Sequence, residues 1–261
     1  MLSKVYKSLV GGAGQAAVGI TPSGTWRSIY DGPLTLAEFR TREDNVGYTS
    51  FFPQERVGVK SDGRVVAYCG SFQSPNLKTI TKKPYKAFGV GIDFFCGIEP
   101  DDTVRCFHYD CDGALDPMEM PKKLKARSLS VAPAYACAVT IDGKAVCWGD
   151  TANQAKELTA GQTFPPDRSG FTKISAGNDH SCGLLADGEA VCWGSDEHGK
   201  SSAPKGVVFT DIAASRGLSC GLVKNGGIQC WGDTNWVQEY GPDDTRNYLP
   251  PPKWSAQTEK K

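Results

Sequence analysis

Ten cysteines and three histidines are the residues of this chain best suited to chemistry. Eight of the cysteines recur at one interval: Cys96 and Cys106, Cys137 and Cys147, Cys182 and Cys192, Cys220 and Cys230. None lies in a Cys-x-x-Cys pair, the spacing of most zinc sites and dithiol redox centres. Pairs spaced this way serve either as disulfides or as small buried apolar residues. Cys69 and Cys111 are left over, and a fifth bond between them is open. The stretch from Cys106 through His108 to Cys111 offers candidate metal ligands, but a site needs three or four that converge. No metal is expected there once Cys106 is bonded to Cys96. His108, His180 and His198 show no common spacing, and no Ser-His-Asp or paired-carboxylate arrangement stands out. No catalytic residue and no cofactor site is expected.

The elements that position the cysteines are copies of one unit. Residues 174–194 read ISAGNDHSCGLLADGEAVCWG and residues 212–232 read IAASRGLSCGLVKNGGIQCWG; they align without a gap. Further copies occupy 129–149 and 88–108, and weaker ones surround Val57 and Val18. The first-cysteine position therefore falls at 18, 57, 96, 137, 182 and 220, a period near forty that fills most of the 261 residues. In each copy an alternating apolar stretch reaches this anchor, and a three-residue turn follows: Ile141-Asp142-Gly143, Ala186-Asp187-Gly188, Lys224-Asn225-Gly226. The third turn residue of such a hairpin takes a left-handed conformation, which suits Gly. Asp102 stands there in the third copy and tolerates that conformation better than most residues. A second alternating stretch ends in Cys-Trp-Gly. Each copy is thus a hairpin preceded by a short strand, a unit that buries its faces only by stacking on its neighbours. The pattern predicts an all-β fold, a β-propeller of about six short blades, each a small antiparallel sheet.

The hairpin places the two cysteines of a copy directly opposite each other, on a non-hydrogen-bonded pair whose Cα atoms approach to roughly 4.5 Å. The copies supply their own control. Four have both cysteines; the other two have neither, with Val18 and Ser28 in one and Val57 and Ala67 in the other. Joint loss is expected of a bond and has no special reason in two independent packing positions. The reading is four disulfides within copies: Cys96–Cys106, Cys137–Cys147, Cys182–Cys192 and Cys220–Cys230.

Composition narrows the function. Lys plus Arg and Asp plus Glu both number 29, giving zero net charge. A dedicated nucleic-acid binder carries a basic excess, so nucleic acid is not the expected partner. No apolar run is long enough to cross a bilayer as a helix.

The repeat resembles that of the regulator of chromosome condensation family of β-propellers. Ala176-Gly177, His180, Cys182-Gly183-Leu184, Asp187-Gly188, Cys192-Trp193-Gly194 and the Gly-Lys-Ser-Ser-Ala-Pro run at 199–204 carry the resemblance. The cysteine-bearing form is similar to secreted bacterial members and to Crinkly-type receptor ectodomains. Its repeat length is also similar to that of secreted β-lactamase-inhibitor propellers. The resemblance implies a ring of usually seven blades, and the chain supplies six copies. It implies a structural hydrogen bond for His180 and a protein-binding surface made by loops. The function it implies is a non-catalytic accessory or scaffold subunit of a larger assembly. A secreted hydrolase inhibitor and a small-GTPase exchange factor are the alternatives.

One charge pattern stands out from the neutral average. Lys82, Lys83 and Lys86 precede the third anchor as Lys122, Lys123, Lys125 and Arg127 precede the fourth. Equivalent positions in adjacent blades share an edge of the ring, so these seven charges are expected on one basic edge. Such an edge is either a solvated surface or a contact for an acidic protein surface or anionic lipid headgroups. Residues 1–232 read as one propeller and 233–261 as a tail, whose Trp236, Tyr240, Tyr248 and Trp254 suit packing on the ring or on a partner. Disulfides point to an oxidising compartment, an organelle lumen or intermembrane space or the outside of the cell. Free thiols in the cytosol are the other reading.

Overall fold

The computed structural model describes residues 85–91, 94–109, 115–149, 160–224 and 227–233, together with the backbone of seven strands between Ser8 and Thr79. Among them the chain forms six small antiparallel sheets in sequence order. Blade 1 is β1 (Ser8–Val10), β2 (Val18–Ile20) and β3 (Trp26–Ser28). Blade 2 is β4 (Tyr48–Phe52), β5 (Val57–Lys60), β6 (Val65–Ser71) and β7 (Ser74–Thr79). Blade 3 is β8 (Ala87–Val90), β9 (Phe94–Ile98), β10 (Val104–Tyr109) and β11 (Leu115–Pro117). Blade 4 is β12 (Ala126–Val131), β13 (Tyr135–Thr140) and β14 (Ala145–Gly149). Blade 5 is β15 (Phe171–Ala176), β16 (His180–Leu185) and β17 (Ala190–Gly194). Blade 6 is β18 (Phe209–Ala214), β19 (Leu218–Val223) and β20 (Ile228–Gly232).

All six hairpins keep one register. Val18 faces Ser28, Val57 faces Ala67, and each of the four later anchors faces the cysteine ten residues on. The turns behave as their residues require: φ is 84° at Gly143 and 88° at Gly188, and Asp102 takes the same left-handed conformation at 73°. Each of these turns also caps the next blade. The carbonyls of Asp102, Gly143 and Gly188 accept from the amides of Ala126, Phe171 and Phe209.

Two sheets exceed the expected three strands. In blades 5 and 6 the glycine after the tryptophan turns the chain away, with φ of 100° at Gly194 and 112° at Gly232. In blades 2 and 3 the residue after the aromatic is Cys69 or His108. The strand runs on, and a fourth strand, β7 or β11, pairs with it.

The core lies in the seams between blades. Phe94, Ile98 and Val104 of blade 3 pack with Val131, Ala136 and Trp148 of blade 4. Ala132 and Val139 of blade 4 pack with Phe171 and Ile174 of blade 5, and Leu184 of blade 5 with Phe209, Ile212 and Trp231 of blade 6. The first strands stand side by side, β12 against β15 and β15 against β18. The same contact recurs between β18 and β1, which brings blade 6 against blade 1.

Candidate protein-interaction surface

The hairpin turns and the starts of the first strands lie at one end of the blades. Lys86 and Arg127 occupy the same repeat position, and a bridge between Thr103 and Lys125 joins blade 3 to the approach of blade 4. Lys86, Lys122, Lys123, Lys125 and Arg127 are all exposed. Lys82 and Lys83 lie outside the described residues. Acidic groups stand among these cations. Lys86 Nζ donates to Asp102 Oδ1 at 2.5 Å, Lys125 Nζ to the Asp101 carbonyl at 3.2 Å, and Arg127 Nε to the Thr140 carbonyl at 3.3 Å. The amide and hydroxyl of Thr103, with help from Lys125, hold the Asp101 carboxyl below the usual range. Asp142 is lowered by the Thr140 hydroxyl, with Lys144 and Arg127 nearby. The edge is therefore a mixed rim, in which Lys86, Lys125 and Arg127 have acidic turn residues beside them. Counting cations along the sequence missed those turn acids, although Asp101, Asp102 and Asp142 sit at the repeat's turn positions. Lys122 and Lys123 project from the turn before Leu124, with φ of 57° at Lys123.

The cysteines are consumed internally. The four pairs have S–S distances of 2.03, 2.06, 2.04 and 2.11 Å and Cα separations of 3.9 to 4.1 Å. Cys69 lies on β6, while Cys111 is outside the described residues, as is any bond between them. No group of His, Cys, Asp and Glu among the described residues could hold a metal ion.

His180 is wholly buried in the seam between blades 5 and 6. Ser219 Oγ lies 2.8 Å from the Lys200 carbonyl and must donate to it. His180 Nε2, at 2.8 Å from the same Ser219 oxygen, is therefore the donor. That fixes the neutral tautomer with its proton on Nε2. Nδ1 then faces Asp179 Oδ1 at 3.7 Å, while Asp179 Oδ2 accepts from the buried Lys200 at 2.8 Å. Burial pulls the His180 pKa down and the Lys200 charge adds to this, against the opposing pull of Asp179. Asp179 itself is pushed up by burial, but the hydrogen bond and charge of Lys200 outweigh that and bring it to about 2.

The same seam position in blade 4 is Tyr135. Its hydroxyl donates to the His180 carbonyl at 2.7 Å and lies 2.9 Å from Ser181 Oγ. Further in, Ser130 and Ser175 accept from the amides of Ala176 and Ala214 in the following blade. The histidine, tyrosine and serines thus stitch one blade to the next.

Residues 171–200, which span blade 5 and its link to blade 6, match the family described as the regulator of chromosome condensation (RCC1) repeat. Blade 5 thus matches the RCC1 repeat. His180, Cys182, Trp193 and Lys200 all lie within the matched stretch. No curated protein sequence is significantly similar to the chain. Solved structures share the propeller fold at low identity. The yeast RCC1 protein Prp20, solved with Kap60, aligns with a TM-score of 0.59 at 17% identity, over 94% of this chain and 74% of that one. The Crinkly ectodomain of the Arabidopsis thaliana receptor kinase ACR4 aligns at 0.54 and 20% identity, over 87% and 81%. Human WBSCR16 aligns at 0.52 and 11% identity, over 89% and 77%. No described helix is long and apolar enough to cross a membrane.

Proposed function

We propose that this chain is a non-catalytic RCC1-repeat propeller that binds other proteins as an accessory or scaffold subunit. The observation that carries this reading is where the reactive side chains go. His180, Ser181, Ser219, Lys200 and eight cysteines are tied into the seams and hairpins, and charged groups at the turn rim face solvent. Residues 1–232 act as one ring, with 233–261 as a tail. The mixed rim of blades 3 and 4, with Lys122 and Lys123 as its unneutralised corner, is the proposed contact. A partner surface carrying both acidic and apolar groups fits it, since Ile141 is 47% exposed on the same turn as Asp142.

Four disulfides support an oxidising compartment. They also favour a second reading, a secreted propeller that inhibits a hydrolase. Affinity capture from the native source separates the readings. A stable stoichiometric assembly supports the scaffold, a captured hydrolase the inhibitor, and a captured small GTPase an exchange factor. Replacing Lys122, Lys123 and Lys125 with Glu is expected to weaken the association, and unchanged binding removes the rim from the proposal.

A further inference from the structure

The link into blade 5 is pinned at Gln162, whose side chain is wholly buried. Its carbonyl accepts from Trp193 Nε1 at 2.9 Å and from Ser181 Oγ at 3.2 Å. Its Oε1 accepts from the Ala160 amide at 3.0 Å. The Phe164 amide closes a turn on the Gly161 carbonyl at 3.0 Å. On this fixed base Phe164 is 75% exposed, the most exposed large apolar side chain described.

The link into blade 6 is the same unit one copy on. Gly199-Lys200-Ser201-Ser202-Ala203-Pro204 stands where Gly161-Gln162-Thr163-Phe164-Pro165-Pro166 stands in the earlier link. There Lys200 is the pin, and the Phe164 position is Ser202, whose hydroxyl donates to Asp196 Oδ2 at 2.7 Å. A small polar residue therefore serves the link, and folding gives no reason for an exposed phenylalanine.

Its neighbours restrict its shape. A residue before proline is held to extended conformations, which applies to Phe164 and again to Pro165. The two rings fix φ near −65°. The carbonyls of Phe164 and Pro165 accept no hydrogen bond from the described residues, and Pro166 ends the segment by accepting from the Arg168 amide at 2.8 Å. An extended segment with fixed φ and open carbonyls has the character of polyproline II.

We propose that Phe164-Pro165-Pro166 is a preformed ligand segment for a partner domain with an aromatic-lined groove that reads proline-rich chains. Phe164 fills an apolar pocket, the prolines lie on aromatic rings, and the open carbonyls accept from indole or phenol groups of the groove. Little ordering entropy is lost, because the base and the prolines already hold the shape. The proposal rests on the reading that the propeller binds proteins, but uses a link between blades instead of the turn rim.

The test is titration of the full chain against purified SH3, WW and EVH1 domains, followed by calorimetry or by shifts in the labelled domain. At least one domain is expected to bind saturably. Phe164→Ser, which copies Ser202, should weaken that binding about tenfold or more, as should Pro165→Ala, with the melting temperature unchanged. Lys122→Glu with Lys123→Glu should leave it intact. The proposal fails if no domain binds, if Phe164→Ser binds as the parent does, or if binding is lost only on replacing Pro250, Pro251 and Pro252 in the tail. An assembly captured from the native source that survives Phe164→Ser would retire this segment and leave the protein-binding reading standing.

Discussion

The ring of Phe171 lies on Gly183 so closely that a methyl group on that glycine would sit 2.5 Å from two ring carbons. The contact repeats. Gly221 is covered by Phe209 and Gly97 by Tyr85, each at 2.2 to 2.3 Å from the same imaginary methyl. Blade 4 solves the problem the other way, with Ala138 at the glycine position and Ala126 at the aromatic one, both wholly buried. The two positions are twelve residues apart in all four copies. Glycine is required here for room, since none of these three has a left-handed φ.

Gly183→Ala is expected to cost about 1–3 kcal/mol by overpacking, and Phe171→Ala about 3–5 kcal/mol by opening a cavity. The double variant, which copies blade 4, should cost clearly less than the sum. Urea unfolding of the three variants checks this, and strict additivity would refute the steric pairing.

Each disulfide closes a short loop, so the joint Cys182→Ala, Cys192→Ala variant should lose about 2–3 kcal/mol. Mass spectrometry after alkylation should find the eight paired cysteines unreactive until a reductant is added. Ten free thiols in the folded protein would sink the assignment.

Acid should loosen the seam between blades 5 and 6 in two steps. The folded pKa of His180 is lowered from 6.5, so the folded state resists the proton that the unfolded chain accepts. Stability is full above that value and falls as pH drops below it. Asp179 is lowered from 3.8 to about 2, so its contribution is present above 3.8 and is lost towards 2. Thermal melts at pH 7.5, 5.5 and 3 should show both steps in the parent and only the lower one in His180→Gln. An unchanged loss between pH 7.5 and 5.5 in the variant would assign the upper step elsewhere.

Tyr135→Phe removes the hydroxyl that reaches across the seam at 2.7 Å and leaves the His180 carbonyl with the Gly177 amide as its donor. Burial raises the phenol pKa, so the group is a protonated donor at every ordinary pH. A loss of about 0.5–1.5 kcal/mol is expected, with no new pH dependence between 6 and 9 (about the neutral range). A stability equal to the parent's would show that the hydroxyl is not needed in the seam.

Much of this fold is legible in the residues because its decisive geometry is local. A three-residue turn fixes the hairpin register. The register places Cys182 on Cys192, and a left-handed third position explains Gly188 and admits Asp102. The fourth strands β7 and β11 were less visible, since their cause is one residue, Cys69 or His108 in place of a turning glycine. The pairing of Gly183 with Phe171 was present as a spacing of twelve, but only the bulged first strand shows why that spacing brings them together. The rim was half legible: its lysines and Arg127 lie close in sequence, whereas Asp101 and Asp142 reach them only through the turns.

The contact of β1 with β18 and β19 gives the array a property that stacking alone does not. A row of stacked sheets always offers a bare face to one more copy and is open to indefinite growth. Here the open face of blade 6 lies against the first sheet and is covered by it.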